Sequence, residues 1–127
     1  QIQSIEENSF IDLINLRSLN LSNNTQIKEL KQKSIFTGLQ NLNKLNISNN
    51  NLKLVEIDAF DCLVNLKELD LSTSFSSKFL KNCFDNIKSL EKLKFDFNSI
   101  KEINKCQNLL NNQSGSLKEL EIKNTPG

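Results

Sequence analysis

The chain has 127 residues, a net charge of +1, 37% hydrophobic residues, one proline, three glycines and no histidine. That composition suits one globular domain and supplies no bulk positive field to gather nucleic acid or an anionic membrane. Without histidine there is no Ser-His or Cys-His pair and no imidazole base; a Gly-rich phosphate loop and a long apolar run are missing too.

In chain order, five short strands are predicted, each carried by the phrase L-x-x-L-x-[LIF]-x-x-[NST]. The phrase reads Leu16, Leu19, Leu21, Asn24; then Leu42, Leu45, Ile47, Asn50; then Leu66, Leu69, Leu71, Ser74; then Leu90, Leu93, Phe95, Asn98; then Leu117, Leu120, Ile122, Thr125. The opening leucines lie 26, 24, 24 and 27 residues apart. Self-similarity at a fixed period signals a solenoid, in which stacked turns bury a core that no single turn could form. Period-two alternation within each phrase marks a strand with one buried face, centred on Leu19, Leu45, Leu69, Leu93 and Leu120. Before each of the first four phrases comes a phenylalanine (Phe10, Phe36, Phe60, Phe84) and then Leu13, Leu39, Leu63 or Ile87. The residues between strands follow no sustained 3.6-residue period, so little helix is expected.

At the end of each strand the chain bends and orphans backbone groups. A buried carboxamide can satisfy them, so Asn24, Asn50 and Asn98 are expected to form a polar ladder, with Ser74 and Thr125 as shorter members. Asn49, one residue earlier, is expected to point outward with little structural weight. The third repeat is irregular: Ser76 stands where an apolar residue belongs, and either Phe75 turns inward to replace it or the segment forms a lateral loop.

The phrase, together with endings such as Ala59-Phe60-Asp61-Cys62-Leu63 and Ile35-Phe36-Thr37-Gly38-Leu39, resembles the typical, roughly 24-residue class of leucine-rich repeat. Its uneven repeat lengths look most like Toll-like receptor ectodomains. The resemblance implies an α/β solenoid over residues 1–127: a right-handed superhelix with a parallel concave sheet and a mostly irregular convex side. It implies a non-catalytic recognition module without cofactor or metal, from the ectodomain of an innate-immune or cell-surface receptor. The partners would be a protein or microbial ligand and a second receptor copy, with nucleic acid by family resemblance alone and no direct membrane contact in this segment. The expected location is extracellular or lumenal; the alternative is a cytoplasmic scaffold docking one protein. The chain starts and stops within a repeat and so reads as a piece of a longer solenoid with apolar edges.

Between the leucines, outward residues form rows across the repeats: Ser18, Lys44, Glu68, Lys92, Glu119; then Asn20, Asn46, Asp70, Lys94, Glu121; then Ser22, Ser48, Ser72, Asp96, Lys123. Two readings stay open, cross-strand ion pairs that aid solubility or a polar recognition face. The candidate contact residues are Asp70, Lys92, Lys94, Asp96 and the outward aromatic Phe97, whose alternative role is packing on the flank. Cys83 and Cys106 occupy nearly equivalent positions of consecutive repeats; they form a disulfide or, like Cys62, serve as small core residues. N-x-[ST] sequons occur at Asn20, Asn23, Asn46 and Asn112, and they are glycosylation candidates if the chain is secreted.

Overall fold

The computed structural model describes residues 2–30, 33–56, 58–72, 87–97 and 118–124, with the backbone alone at 33–34, 95–97 and 120–124. Five strands form one parallel sheet: β1 (Ser18–Asn20), β3 (Lys44–Asn46), β5 (Glu68–Leu71), β6 (Lys92–Phe97) and β7 (Glu119–Asn124), in that order. The register aligns Leu19, Leu45, Leu69, Leu93 and Leu120 across all five. The spacing of the phrase produces this alignment, because a one-residue slip would turn every leucine out of the core.

The segments between strands are built from tight turns. Leu13 N donates to Phe10 O at 3.0 Å and Leu16 N to Leu13 O at 3.1 Å. The same pair of bonds recurs at Leu39 and Leu42, and again at Leu63 and Leu66. The three-residue period of F-x-x-L-x-x-L is therefore a chain of i to i+3 turns, which buries Leu39, Leu42, Leu63 and Leu66. The opposite side from the sheet is more regular than expected. It holds a second parallel pair, β2 (Glu29–Leu30) with β4 (Leu54–Val55), and a short 3₁₀ helix at Lys33–Phe36. Among the described residues no helix is long and apolar enough to cross a membrane.

The core lies between the two sides. Leu42, Leu45, Ile47, Leu66, Leu69, Leu71 and Leu93 come from the strand phrases, and Leu30, Leu52 and Val55 from the far side. Phe10, Phe36 and Phe60 stack as a spine, with ring centroids 6.3 and 6.1 Å apart and planes within 11° of parallel. Turns approach closely beside this spine. Gly38 has φ +101°, and a Cβ there would press on Phe10 O and lie 2.6 Å from Ile11 Cα. Glycine is required on both counts.

Two of the residues expected in the ladder, Asn24 and Asn50, are described. Asn50 is buried, and its Nδ2 donates to Leu21 O at 3.0 Å and Ile47 O at 2.9 Å, tying one turn to the next. Asn24 Nδ2 donates to Leu21 O at 3.0 Å, and its Oδ1 accepts from Ile2 N at 2.9 Å. At Asn50 the donor half of the carboxamide does the bridging; Oδ1 has no donor among the described residues. Ser74, Asn98 and Thr125 lie outside the described residues, as do Phe75, Ser76, Phe84, Cys83, Cys106 and the sequon at Asn112.

Asn49 faces outward as expected, and its backbone adds a second feature. Asn49 is exposed, but its φ is 55°, and Asn23 at the same place one turn earlier has φ 63°. Both sit in the left-handed region, which asparagine tolerates better than other residues bearing a Cβ. The position thus selects asparagine for its backbone even though its side chain faces out.

Candidate functional site

The outward face of the five-stranded sheet collects the predicted rows. Ser18, Lys44, Glu68, Lys92 and Glu119 are aligned residue for residue, as are Asn20, Asn46, Asp70, Lys94 and Glu121. Asp96 pairs with Lys123 and Phe97 with Asn124 at the end of β6, whose six residues exceed the three of β1 and β3. The side chains of Asp96 and Phe97 are outside the described set. Of the five predicted contact residues, Asp70, Lys92 and Lys94 therefore come together on the sheet with side chains described. They line an open depression of about 270 Å³ with Ser18, Asn20, Lys44, Asn46 and Glu68.

Charge is distributed by strand. Outward residues are uncharged on β1, acidic at Glu68 and Asp70 on β5, and basic at Lys92 and Lys94 on β6. The stripes compensate one another: Lys44 Nζ lies 3.9 Å from Glu68, and Lys92 Nζ lies 3.6 Å from Glu119. Exposed pairs of this kind contribute about 0.2–1 kcal/mol each. Just below the face, Lys118 Nζ meets Glu91 at 2.9 Å. Its hydrogen bond and charge, assisted by Lys67, hold the Glu91 carboxyl below the usual carboxylate range.

The second row has a structural role that the sequence reading missed. Asn20 Oδ1 accepts from Ser22 N and Asn46 Oδ1 from Ser48 N, both at 2.9 Å. Asp70 Oδ1 accepts from Ser72 N at 3.0 Å and from Ser72 Oγ. Each is an Asx turn that anchors the chain as it leaves the strand. The signal was present in Asn20-Leu21-Ser22, Asn46-Ile47-Ser48 and Asp70-Leu71-Ser72. Substitution of Asp for Asn in the third shows that a side-chain oxygen is what this slot requires.

A second ladder runs behind the sheet. Asn41 Nδ2 donates to Ile14 O and Asn65 Nδ2 to Gln40 O, both at 2.7 Å; Ser89 Oγ donates to Leu66 O at 2.7 Å. These residues directly precede Leu42, Leu66 and Leu90. They fix each strand's entry just as Asn50 fixes its exit, so the face is held rigidly from both ends. Cys62 is half-buried, with Sγ 3.6 Å from Thr37 Oγ1. No group of three His, Cys, Asp or Glu among the described residues could hold a metal ion.

Residues 25–74 match the leucine rich repeat family, which supports a leucine-rich-repeat protein. The matched segment includes β3, β5 and the second sheet, the most thoroughly buried part of the stack. Such repeats are generally non-catalytic and present extended surfaces to protein partners. No curated protein matches the chain.

Proposed function

We propose that the chain is a recognition module of an extracellular receptor of the Toll-like kind, holding a protein or microbial ligand on the face of its five-stranded sheet. The observation that carries the reading is the register. Side chains from β1, β3, β5 and β6 converge on one open depression, which no single repeat could build. Asp70, Lys92 and Lys94 are the central contacts. The face is made of compensated charges and hydroxyl and amide groups, so it selects by pattern rather than by net field.

Photo-crosslinking tests the face. A photoreactive residue at Lys94 should capture the partner, whereas one at Lys53, exposed beside β4, should not. Capture from Lys53 alone would overturn the reading. The receptor assignment is tested separately by labelling the native protein on unpermeabilised cells. Labelling after permeabilisation alone would make it an intracellular docking scaffold.

A further inference from the structure

We infer that Asn23 is the described residue that carries an N-linked glycan, and that the sheet face beside it stays bare. The inference rests on the extracellular reading above. Three described asparagines head an N-x-[ST] sequon: Asn20, Asn23 and Asn46. They are alike in sequence and unlike in structure.

Asn20 and Asn46 lie within strands, each with its Oδ1 accepting the N–H of the serine of its own sequon. On β5 the same slot is filled by Asp70 with the same bond to Ser72. An aspartate has no carboxamide to modify. The recurring N-x-S is thus accounted for by the Asx turn at the strand exit, without any modification. Asn46 is also half-buried, in register with Asn20 on one side and Asp70 on the other, at a strand spacing of about 4.8 Å.

Asn23 sits beyond the strand, at the left-handed bend. Its backbone N–H donates to Ser48 O at 3.0 Å, which fixes the bend, while its carboxamide is exposed and makes no hydrogen bond to a described residue. Thr25, which completes the sequon, is exposed too, as is Asn49 one turn on. This amide nitrogen can reach a lipid-linked saccharide diphosphate without opening the sheet. In the transfer, the nitrogen forms a bond to the anomeric carbon and that carbon's bond to the diphosphate oxygen breaks. The electron pair leaves with the lipid diphosphate, and the nitrogen releases one proton to the base of the transferring enzyme. The saccharide then projects from the flank, clear of Asp70, Lys92 and Lys94.

The test is glycopeptide mapping of the whole chain secreted from eukaryotic cells behind an added signal peptide, which makes the result independent of where the native protein resides. Asn23 should be occupied in most molecules, with Asn20 and Asn46 bare. Thr25→Ala, which leaves the asparagine at the bend in place, should abolish the Asn23 glycan. Asp70→Asn, which writes a third N-x-S into the strand-exit slot, should gain none. An unmodified Asn23, or a glycan at Asn20, at Asn46 or at the substituted position 70, would overturn the inference. A native protein found inside the cell would instead remove the extracellular reading while leaving the mapped selectivity intact.

Discussion

The first turn and the two that follow it share their local chemistry and differ in what covers them. Leu13 N donates to Phe10 O at 3.0 Å, and Leu39 N donates to Phe36 O at 3.1 Å. Yet Leu13 is 43% exposed and Leu39 is fully buried. Phe10 and Leu19 are half-buried, while their counterparts Phe36 and Leu45 are sealed. Ile11 and Ile14 complete an apolar edge on the first turn. Turn geometry therefore comes from the local sequence, whereas stability comes from having a neighbour on both sides, as expected where nearest-neighbour stacking dominates.

The sharpest contrast should come from the spine. Phe36→Ala, at a sealed position, should cost about 3–5 kcal/mol, and Phe10→Ala roughly half of that or less. Equal losses in chemical denaturation would mean that burial by the next turn is not what matters. Gly38→Ala probes the closeness of that contact. Its left-handed φ and the backbone of Phe10 and Ile11 oppose any Cβ, so a loss of about 3 kcal/mol is expected.

The ladder gives a smaller, graded effect. Asn50→Ala should cost about 1–3 kcal/mol by removing the two bonds that Nδ2 makes to Leu21 O and Ile47 O. Asn50→Asp should cost more, because it sets a carboxylate against two carbonyls. Asn49→Ala should cost about 1 kcal/mol through its backbone alone, and Asn49→Gly should cost less than Asn49→Ala. A fully silent Asn49→Ala would show that the bend relaxes freely.

The smallest effect is electrostatic. Because Lys118 lowers the Glu91 pKa in the folded state, the pair stabilises the fold above the ordinary carboxylate range. That contribution fades as pH falls through the lowered folded value. Lys118→Met should return the Glu91 midpoint, followed by NMR, to the ordinary range, with little change in overall stability because the pair is exposed.

Much of this was legible in the sequence because the burial pattern is periodic. The leucine positions gave the strand centres, the strand order and the rows on the face, and the phenylalanines gave the spine. What stayed hidden were polar contacts whose residue types serve several purposes. Asn20 and Asn46 read as sequons, and only Asp70 in register with them reveals the Asx turn. Asn41, Asn65 and Ser89 carried no signal because their partners are carbonyls of the preceding turn, a distance of 23 to 27 residues that no local pattern encodes. The left-handed bend at Asn49 was masked by its exposure. The contact residues were legible as a row, but a row alone does not say whether its charges are spent on each other.

Residue-by-residue hydrogen exchange tests the central claim, that stacking between turns rather than turn geometry stabilises the fold. Leu16, Leu42 and Leu66 donate to carbonyls three residues back at 3.1, 3.0 and 3.2 Å, so local structure should protect them alike. Stacking instead predicts that the Leu42 and Leu66 amides exchange near the global unfolding limit and that the Leu16 amide exchanges far faster. Equal protection at all three would contradict it.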